Sequence, residues 1–400
     1  MTTGTVVVVL VAVVASLFMA WALGASSNSP PFAPAVGANA IPTMRAAFFI
    51  GVFAALGAVA QGGNISETIG RGLIDGVAIT PLGAAAGLFT SALFIAIGVW
   101  TGYPIPAAFA TTGAIVGVGL ALGGDPAWET YRRIVTFWVS VPFVSATIAY
   151  TTASLLRSES IPETVGVPLL GGLVGFVLAN IDIAVVPGST GRRTVARFAS
   201  RQIGGAPTLF GTYDVVMVTV SLVVGAVVFV ALRREMRRSM EAGIKRFLVG
   251  LGAVVAFSSG GSQVGLATGP LEPLFSDLGV PGVALLVLGG IGILLGAWMG
   301  SPRLLQAVSR EYSQLGVRRS IAALVPGFLI AQAAIALGIP ISFNNIIISS
   351  VVGSGLVVGS AGVSGRKIAV TLAAWLVSLV GAGATGYGTY SVLAAVTGIR

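Results

Sequence analysis

Twelve apolar stretches separated by short polar connections leave this chain little choice of fold. A bilayer-spanning helix needs about 20 largely apolar residues, because each residue rises ~1.5 Å through ~30 Å of hydrocarbon. The stretches are Val6–Leu23, Met44–Gln61, Leu82–Trp100, Ile105–Leu122, Ile134–Leu156, Val167–Val186, Val215–Leu232, Phe247–Phe257, Val280–Met299, Ile321–Leu337, Ile346–Val358 and Ile368–Ala395. The last is long enough for one span plus a half-helix or a second short span. Of the 400 residues 9% are charged and 55% are hydrophobic, whereas soluble domains average about 25% charged. So few charges cannot cover a soluble surface of this size. The expected class is an all-α polytopic membrane protein of about twelve transmembrane helices. Met1-Thr2-Thr3 lacks a positive n-region, so the first stretch reads as a retained span and not a cleaved signal.

Missing residue types exclude much chemistry. The chain has no Cys and no His. That removes disulfides, thiolate and imidazole metal sites, cysteine nucleophiles and serine–histidine hydrolysis. No paired acids sit at helical spacing in a span, so no reaction centre is legible, and an enzyme is not expected. The net charge is +9. Its carriers lie in connections between spans, where the positive-inside rule puts them, so the charge points to a membrane and not to nucleic acid. Arg192, Arg193, Arg197 and Arg201 precede the Val215 stretch, and Arg233, Arg234, Arg237, Arg238, Lys245 and Arg246 follow it. Both clusters cannot be inside if that stretch crosses, and the larger, second one is placed there.

The chain repeats itself at an offset of 236 residues. Gly24, Ser26 and Pro34 match Gly260, Ser262 and Pro270. Gly102-x-Pro104-Ile105 matches Gly338-x-Pro340-Ile341, and Gly117, Gly119, Leu120 and Gly123 match Gly353, Gly355, Leu356 and Gly359. Trp138 and Trp375 are offset by 237. The division that follows is a first membrane repeat (1–156), a connector with about two spans and basic loops (157–245) and a second membrane repeat (246–400). Duplicated membrane units suggest a transporter with its site at the repeat interface.

Each repeat interrupts its apolar pattern at the same place, at Gly24–Pro34 and at Phe257–Pro270. Both runs pack small residues, hydroxyls and amides, without a charge. A broken helix at membrane depth must have its backbone satisfied by protein or a wet cavity. It also offers free N–H groups, which with serine hydroxyls suit an oxyanion. The plainer reading, that Ser26, Ser27, Ser262 and Gln263 only cap re-entrant helices, is compatible with ligand contact. A second pair of breaks lies at Gly102–Pro106 and Gly338–Asn345. Its second copy carries Ser342, Asn344 and Asn345; the first has Ala107-Ala108-Phe109 in the equivalent place, so any site is asymmetric. Asp182 is the deepest candidate acid, either buried or at the interface near Pro187. Glu67 and Arg71, four apart, are expected to pair on a helix.

These motifs resemble the inorganic phosphate transporter family, the PiT-type permeases. That family carries two copies of a G-A-N-D-V-A-N-type signature, the second preceded by F-S-H-G-S, and a second motif pair, G-x-P-V-S-T-T-H, before a Gly-rich helix. Here the first pair reads Gly24-Ala-Ser-Ser-Asn-Ser-Pro30 and Phe257-Ser-Ser-Gly-Gly-Ser-Gln-Val-Gly-Leu266, and the second matches Gly102–Phe109 and Gly338–Asn345. The family's Asp is Ser27 in the first copy and Gln263 in the second, the preceding Asn is Ser26 and Ser262, the later Asn is Pro30 and Leu266, and the motif His is Phe109 and Asn345. The resemblance implies two inverted repeats with broken or re-entrant helices, and an oxyanion permease. It associates these positions with phosphate and with a coupling cation, sodium or proton. Loss of both carboxylates removes the obvious hard-cation ligands.

The expected function is therefore a secondary transporter moving inorganic phosphate across the cytoplasmic membrane. A permease for sulfate or another small oxyanion is the first alternative, since sulfate has no proton for an Asp to accept. A passive channel and a non-transporting scaffold are the others. The expected substrate-binding residues are Gly24, Ser26, Ser27, Asn28, Gly260, Gly261, Ser262, Gln263, Ser342 and Asn345, with backbone N–H groups near Gly24, Gly260 and Gly261 attracting the anion. No cofactor or metal is expected. The partners are phosphate or a similar oxyanion and the lipid bilayer; a homodimer is allowed, but no interface is specified.

Overall fold

The computed structural model describes residues 3–101, 105–158, 161–184, 186, 192–307, 309, 316–359 and 365–398. Nearly all of it is helix, as lipid demands of a chain whose backbone must bond to itself. The first half holds α1 (Thr3–Ala25), a 3-10 turn at Pro30–Phe32, α2 (Ala33–Gly37), α3 (Thr43–Gln61), α4 (Gly63–Arg71), α5 (Pro81–Thr101), α6 (Ala107–Ala121) and α7 (Trp128–Arg157). Then come α8 (Glu163–Leu178), α9 (Val195–Ile203) and α10 (Val215–Arg238). The rest is α11 (Met240–Thr268), a 3-10 turn at Gly269–Leu271, α12 (Glu272–Asp277), α13 (Gly282–Ala307), α14 (Val317–Ala336), α15 (Phe343–Leu356) and α16 (Gly365–Thr397). Two small antiparallel pairs, Ile74–Asp75 with Asp125–Pro126 and Thr208–Phe210 with Tyr213–Asp214, tie connections together.

Each of the twelve apolar stretches contains a helix, although Val167–Val186 runs beyond the end of α8 at Leu178 into a connection. Among the described residues eight helices are long and apolar enough to cross a bilayer, and α6, α8 and α15 are shorter apolar helices. The stretch Ile368–Ala395 is one continuous helix, α16, and contains no half-helix. Large apolar side chains such as Leu10, Val14, Phe143, Leu222 and Val380 stand exposed on the outer helix faces, as they would against lipid.

The two ends of the chain build the same series of elements. α1, α5 and α6 begin at Thr3, Pro81 and Ala107; α11, α14 and α15 begin at Met240, Val317 and Phe343. Packing is exchanged between the series: α1 lies along α13 and α11 along α3, while α6 lies along α16 and α15 along α7. Glycine permits these contacts, because small residues let membrane helices approach backbone to backbone. A Cβ on Gly24 would overlap the carbonyl of Ile293, and one on Gly260 that of Ala54. Likewise a Cβ on Gly117 would overlap the carbonyl of Gly383, and one on Gly353 that of Ala146. Gly117 and Gly353 are a repeat-matched pair, each set against the other half.

Charge sorts between the two ends of the bundle. One end gathers Arg157, Arg318 and Arg319, Lys245, and the last turn of α10 with Arg237 and Arg238, alongside the acids Glu163, Glu235 and Glu241 among the described residues. The other end mixes signs. There Arg71 pairs with Glu272 at 2.8 Å, the backbone N–H of Arg193 donates to Asp182 at 3.0 Å, and Asp214 caps α10. The pairing of Glu67 with Arg71 is therefore corrected: Arg71 reaches across to the second series, because α4 packs against the Gly269–Leu271 turn and α12. Asp182 lies past the end of α8, half-buried in a connection and not inside a span.

Candidate functional site

Three polar segments meet in the middle of the bundle. The first is the break after α1. The helix ends at Ala25, Ser26–Ser29 turn, and Pro30 and Pro31 open the 3-10 turn. Proline lacks an N–H, so the helix cannot continue through it. The second is the middle of α11, Ser258–Gln263. The third is the start of α15, Ser342–Asn345. All of these side chains, from Ser26, Ser27 and Asn28 to Ser262, Gln263, Ser342 and Asn345, are at most 2% exposed.

Hydrogen bonds hold the segments in register. Ser259 Oγ donates to Asn28 Oδ1 at 2.6 Å, joining α11 to the first break. Gln263 Nε2 donates to Ser262 Oγ at 3.1 Å and to the carbonyl of Ile341 at 3.0 Å, joining α11 to the entry of α15. Asn28 Nδ2 donates to the carbonyl of Leu23 at 3.3 Å and Asn344 Nδ2 to that of Ile105 at 3.0 Å. Ser29 Oγ bonds Ser301 Oγ at 2.9 Å, and Ser301 donates to the carbonyl of Gly24 at 3.1 Å.

What remains unsatisfied defines the chemistry. Ser26 Oγ, Ser27 Oγ, Ser342 Oγ, Gln263 Oε1, Asn344 Oδ1 and Asn345 Oδ1 are buried without a partner. A buried polar atom left unpaired costs about 1–3 kcal/mol, so six at one place call for a ligand. The hydroxyls are donors and the amide oxygens acceptors. The start of α15 adds more donors: Ser342 is its N-cap residue but makes no side-chain cap bond, so the first-turn N–H groups lack that partner. No Asp, Glu, Lys or Arg is buried among the described residues. The site is neutral, and it attracts through oriented dipoles.

The wall formed by α6 is apolar over its first residues, and the buried, unpartnered hydroxyls of Thr111 and Thr112 follow. α6 starts with Ala107, Ala108 and Phe109, and the Phe109 ring stacks on Trp138 at 3.9 Å between centroids and meets Trp375 edge-on at 6.1 Å. Trp138 Nε1 donates to the carbonyl of Pro340 at 2.8 Å, tying this wall to the entry of α15.

Three glycines among the expected binders sit inside continuous helices. The run Phe257–Pro270 is not a break, because α11 passes through it unbroken to Thr268. Gly260 and Gly261 therefore spend their N–H groups inside the helix, and they serve to seat α3 against α11. Gly24 likewise lies within α1 and seats α13. Conversely, Ser259 and Asn344 belong to the cluster although neither is among the expected binders. Their signal was their place inside the same polar runs. Gln332 was also missed. It donates to Ser258 Oγ and lines a cavity of about 420 Å³ between α8, α10 and α14 that also contains Asn180, Asp182 and Arg192.

A buried, neutral, dipole-lined site in a bundle of exchanged helix series defines a membrane carrier for a small polar solute. Comparison with known proteins narrows the class. The model of the phosphate transporter family matches residues 23–386, and the chain belongs to that family. A Pyrococcus furiosus protein named as a phosphate permease is 25% identical over 94% of each chain. The chloroplastic inorganic phosphate transporter 2-1 of Arabidopsis thaliana is 22% identical, over 90% of this chain and 68% of that one. A solved structure titled as the sodium-dependent phosphate transporter superposes with a TM-score of 0.83, at 23% identity, covering 98% of this chain and 100% of that one, and so shares its fold.

Proposed function

We propose that this chain is a secondary transporter of inorganic phosphate in the cytoplasmic membrane, and that the anion binds between Ser26–Asn28, Ser259–Gln263 and Ser342–Asn345. The observation that carries this reading is the mixture of unpartnered atoms at the site. Serine hydroxyls and the start of α15 donate to phosphate oxygens, while Gln263, Asn344 and Asn345 each present an amide oxygen with nothing to accept from. Phosphate at neutral pH carries a proton that such an oxygen accepts; sulfate carries none. Neutral amides thus take over the recognition that a carboxylate would otherwise provide, without a negative charge beside the anion. Sites built to bond a ligand's own hydrogen reject analogues that lack it by large factors.

Residues 1–156 and 246–400 are read as repeats of opposite orientation, and residues 157–245 as their connector, with transport proceeding by movement of one half against the other. The basic end, with Arg237, Arg238, Lys245 and Arg318, faces the cytoplasm. Sodium is the coupling ion that suits the site. Its ligands would be neutral hydroxyl, amide and backbone oxygens, and no buried side chain there titrates near neutrality to carry a proton.

Purified protein in liposomes tests this through uptake of radiolabelled phosphate. Accumulation above the outside concentration, driven by an inward sodium gradient, is the expected result. Uptake that only equilibrates, with or without sodium, would make the chain a channel.

A further inference from the structure

We propose that the basic end carries a second oxyanion-binding site, separate from the central one, which takes the phosphate group of either a free anion or a lipid headgroup. The site is a cavity of about 470 Å³ where the end of α7, the beginnings of α8, α11 and α14, and the exit from α15 converge. Four cations, Arg157, Arg318, Arg319 and Lys245, share it with two carboxylates, Glu163 and Glu241. Both carboxylates are already engaged: Glu163 pairs with Arg318, and Glu241 pairs with Lys245 at 2.6 Å.

Arg157 and Arg319 are left over. Arg157 donates one N–H to the carbonyl of Val357 at 2.9 Å, which does not neutralise its charge. Arg319 makes no hydrogen bond or ion pair among the described residues. Among the described residues no carboxylate pairs with either guanidinium, and two such groups lining one cavity repel each other, which a shared anion relieves. A guanidinium presents its donors in a fork that matches phosphate oxygens. The cavity also contains the start of the 20-residue helix α14, where Gly316 offers no side-chain cap, so the dipole there adds to the same sign. Nothing comparable exists at the central site, which is neutral and fully enclosed. The two sites differ in the chemistry that holds the anion.

The chain has no cysteine, so a single Val358→Cys change gives a unique reporter at the cavity wall, at a position 48% exposed. Its rate of reaction with a polar maleimide is measured in two settings. One is phosphatidylcholine nanodiscs with inorganic phosphate added. The other is phosphate-free nanodiscs containing phosphatidylglycerol. A several-fold slowing in the first setting identifies a free anion as occupant, and slowing in the second identifies a lipid headgroup. The slowing should vanish in Val358→Cys/Arg157→Gln/Arg319→Gln and persist in Val358→Cys/Asn345→Ala, so the outcome does not depend on the central site. Unchanged labelling in both settings, in protein that is otherwise wild type, overturns the proposal. Slowing that survives loss of both arginines overturns it as well.

Discussion

At the residue scale, the proposed function rests on hydroxyls and amides placed where a polar atom is costly to leave unpaired. Ser26 and Ser27 are close to ideal probes, since their Oγ atoms have no protein partner to lose. Ser262 instead accepts from Gln263 and so positions it. Each hydrogen bond to a charged ligand contributes about 1.5–3 kcal/mol. Ser26→Ala/Ser262→Ala is therefore expected to weaken phosphate uptake by tenfold or more while leaving the protein folded. Full uptake in proteoliposomes of that double variant would sink the proposed site. The serines, Asn28, Gln263 and Asn345 were legible as candidates from the sequence because polar residues between apolar runs are conspicuous. Their partners were not. That Ser259 bonds Asn28, more than 200 positions away, follows from helix packing and not from any local pattern.

At the element scale, the contrast between the two polar runs is instructive. After α1, two adjacent prolines enforce the break that the sequence suggested. In α11 the serines and glycines of Phe257–Pro270 read locally as a loop, since both residue types disfavour helix interiors. Close packing against α3 overrides that preference: Gly57 and Gly260 let the two backbones touch, and Ser258 Oγ bonds back to the Val254 carbonyl at 3.0 Å. Gly260→Ala should therefore force α3 and α11 apart and destabilise the protein by about 2–4 kcal/mol. Gly250→Ala, on the same helix with open space around it, should be neutral or mildly stabilising. Thermal unfolding in detergent compares the two directly, and equal midpoints would contradict the packing role. The cap of α10 gives a pH prediction. Asp214 accepts from Ser200 Oγ and from the N–H of Met217, and these bonds hold its carboxyl below the ordinary carboxylate range. A lowered folded value means the stabilisation is complete above the unfolded value and is lost as pH falls through the folded one. Amide exchange in the first turn of α10 should accelerate in that acidic window, and Asp214→Asn should remove the pH dependence.

At the scale of the whole molecule, the sequence offset of 236 becomes a spatial exchange, in which each half supplies the helix that the other packs against. The apolar runs foretold the helices well, because hydropathy at this length has one physical outcome in lipid. The short helix α9 went unforeseen, being polar and held by tertiary contact. The proposed orientation follows from the distribution of basic residues between the ends. Single cysteines at Arg237 and at Gly205 should therefore respond oppositely to an impermeant maleimide added to intact cells: Gly205→Cys should label and Arg237→Cys should not. The reverse pattern would invert the proposed orientation.

The central claim is that neutral amide oxygens at the site read the proton of phosphate. Competition in proteoliposomes tests it most directly: radiolabelled phosphate uptake is followed against a large excess of unlabelled sulfate, in the wild-type chain and in Asn345→Leu. Wild-type uptake should persist under sulfate, and the variant, stripped of one acceptor, should lose part of that preference. Sulfate suppressing wild-type uptake as strongly as unlabelled phosphate does would contradict the account.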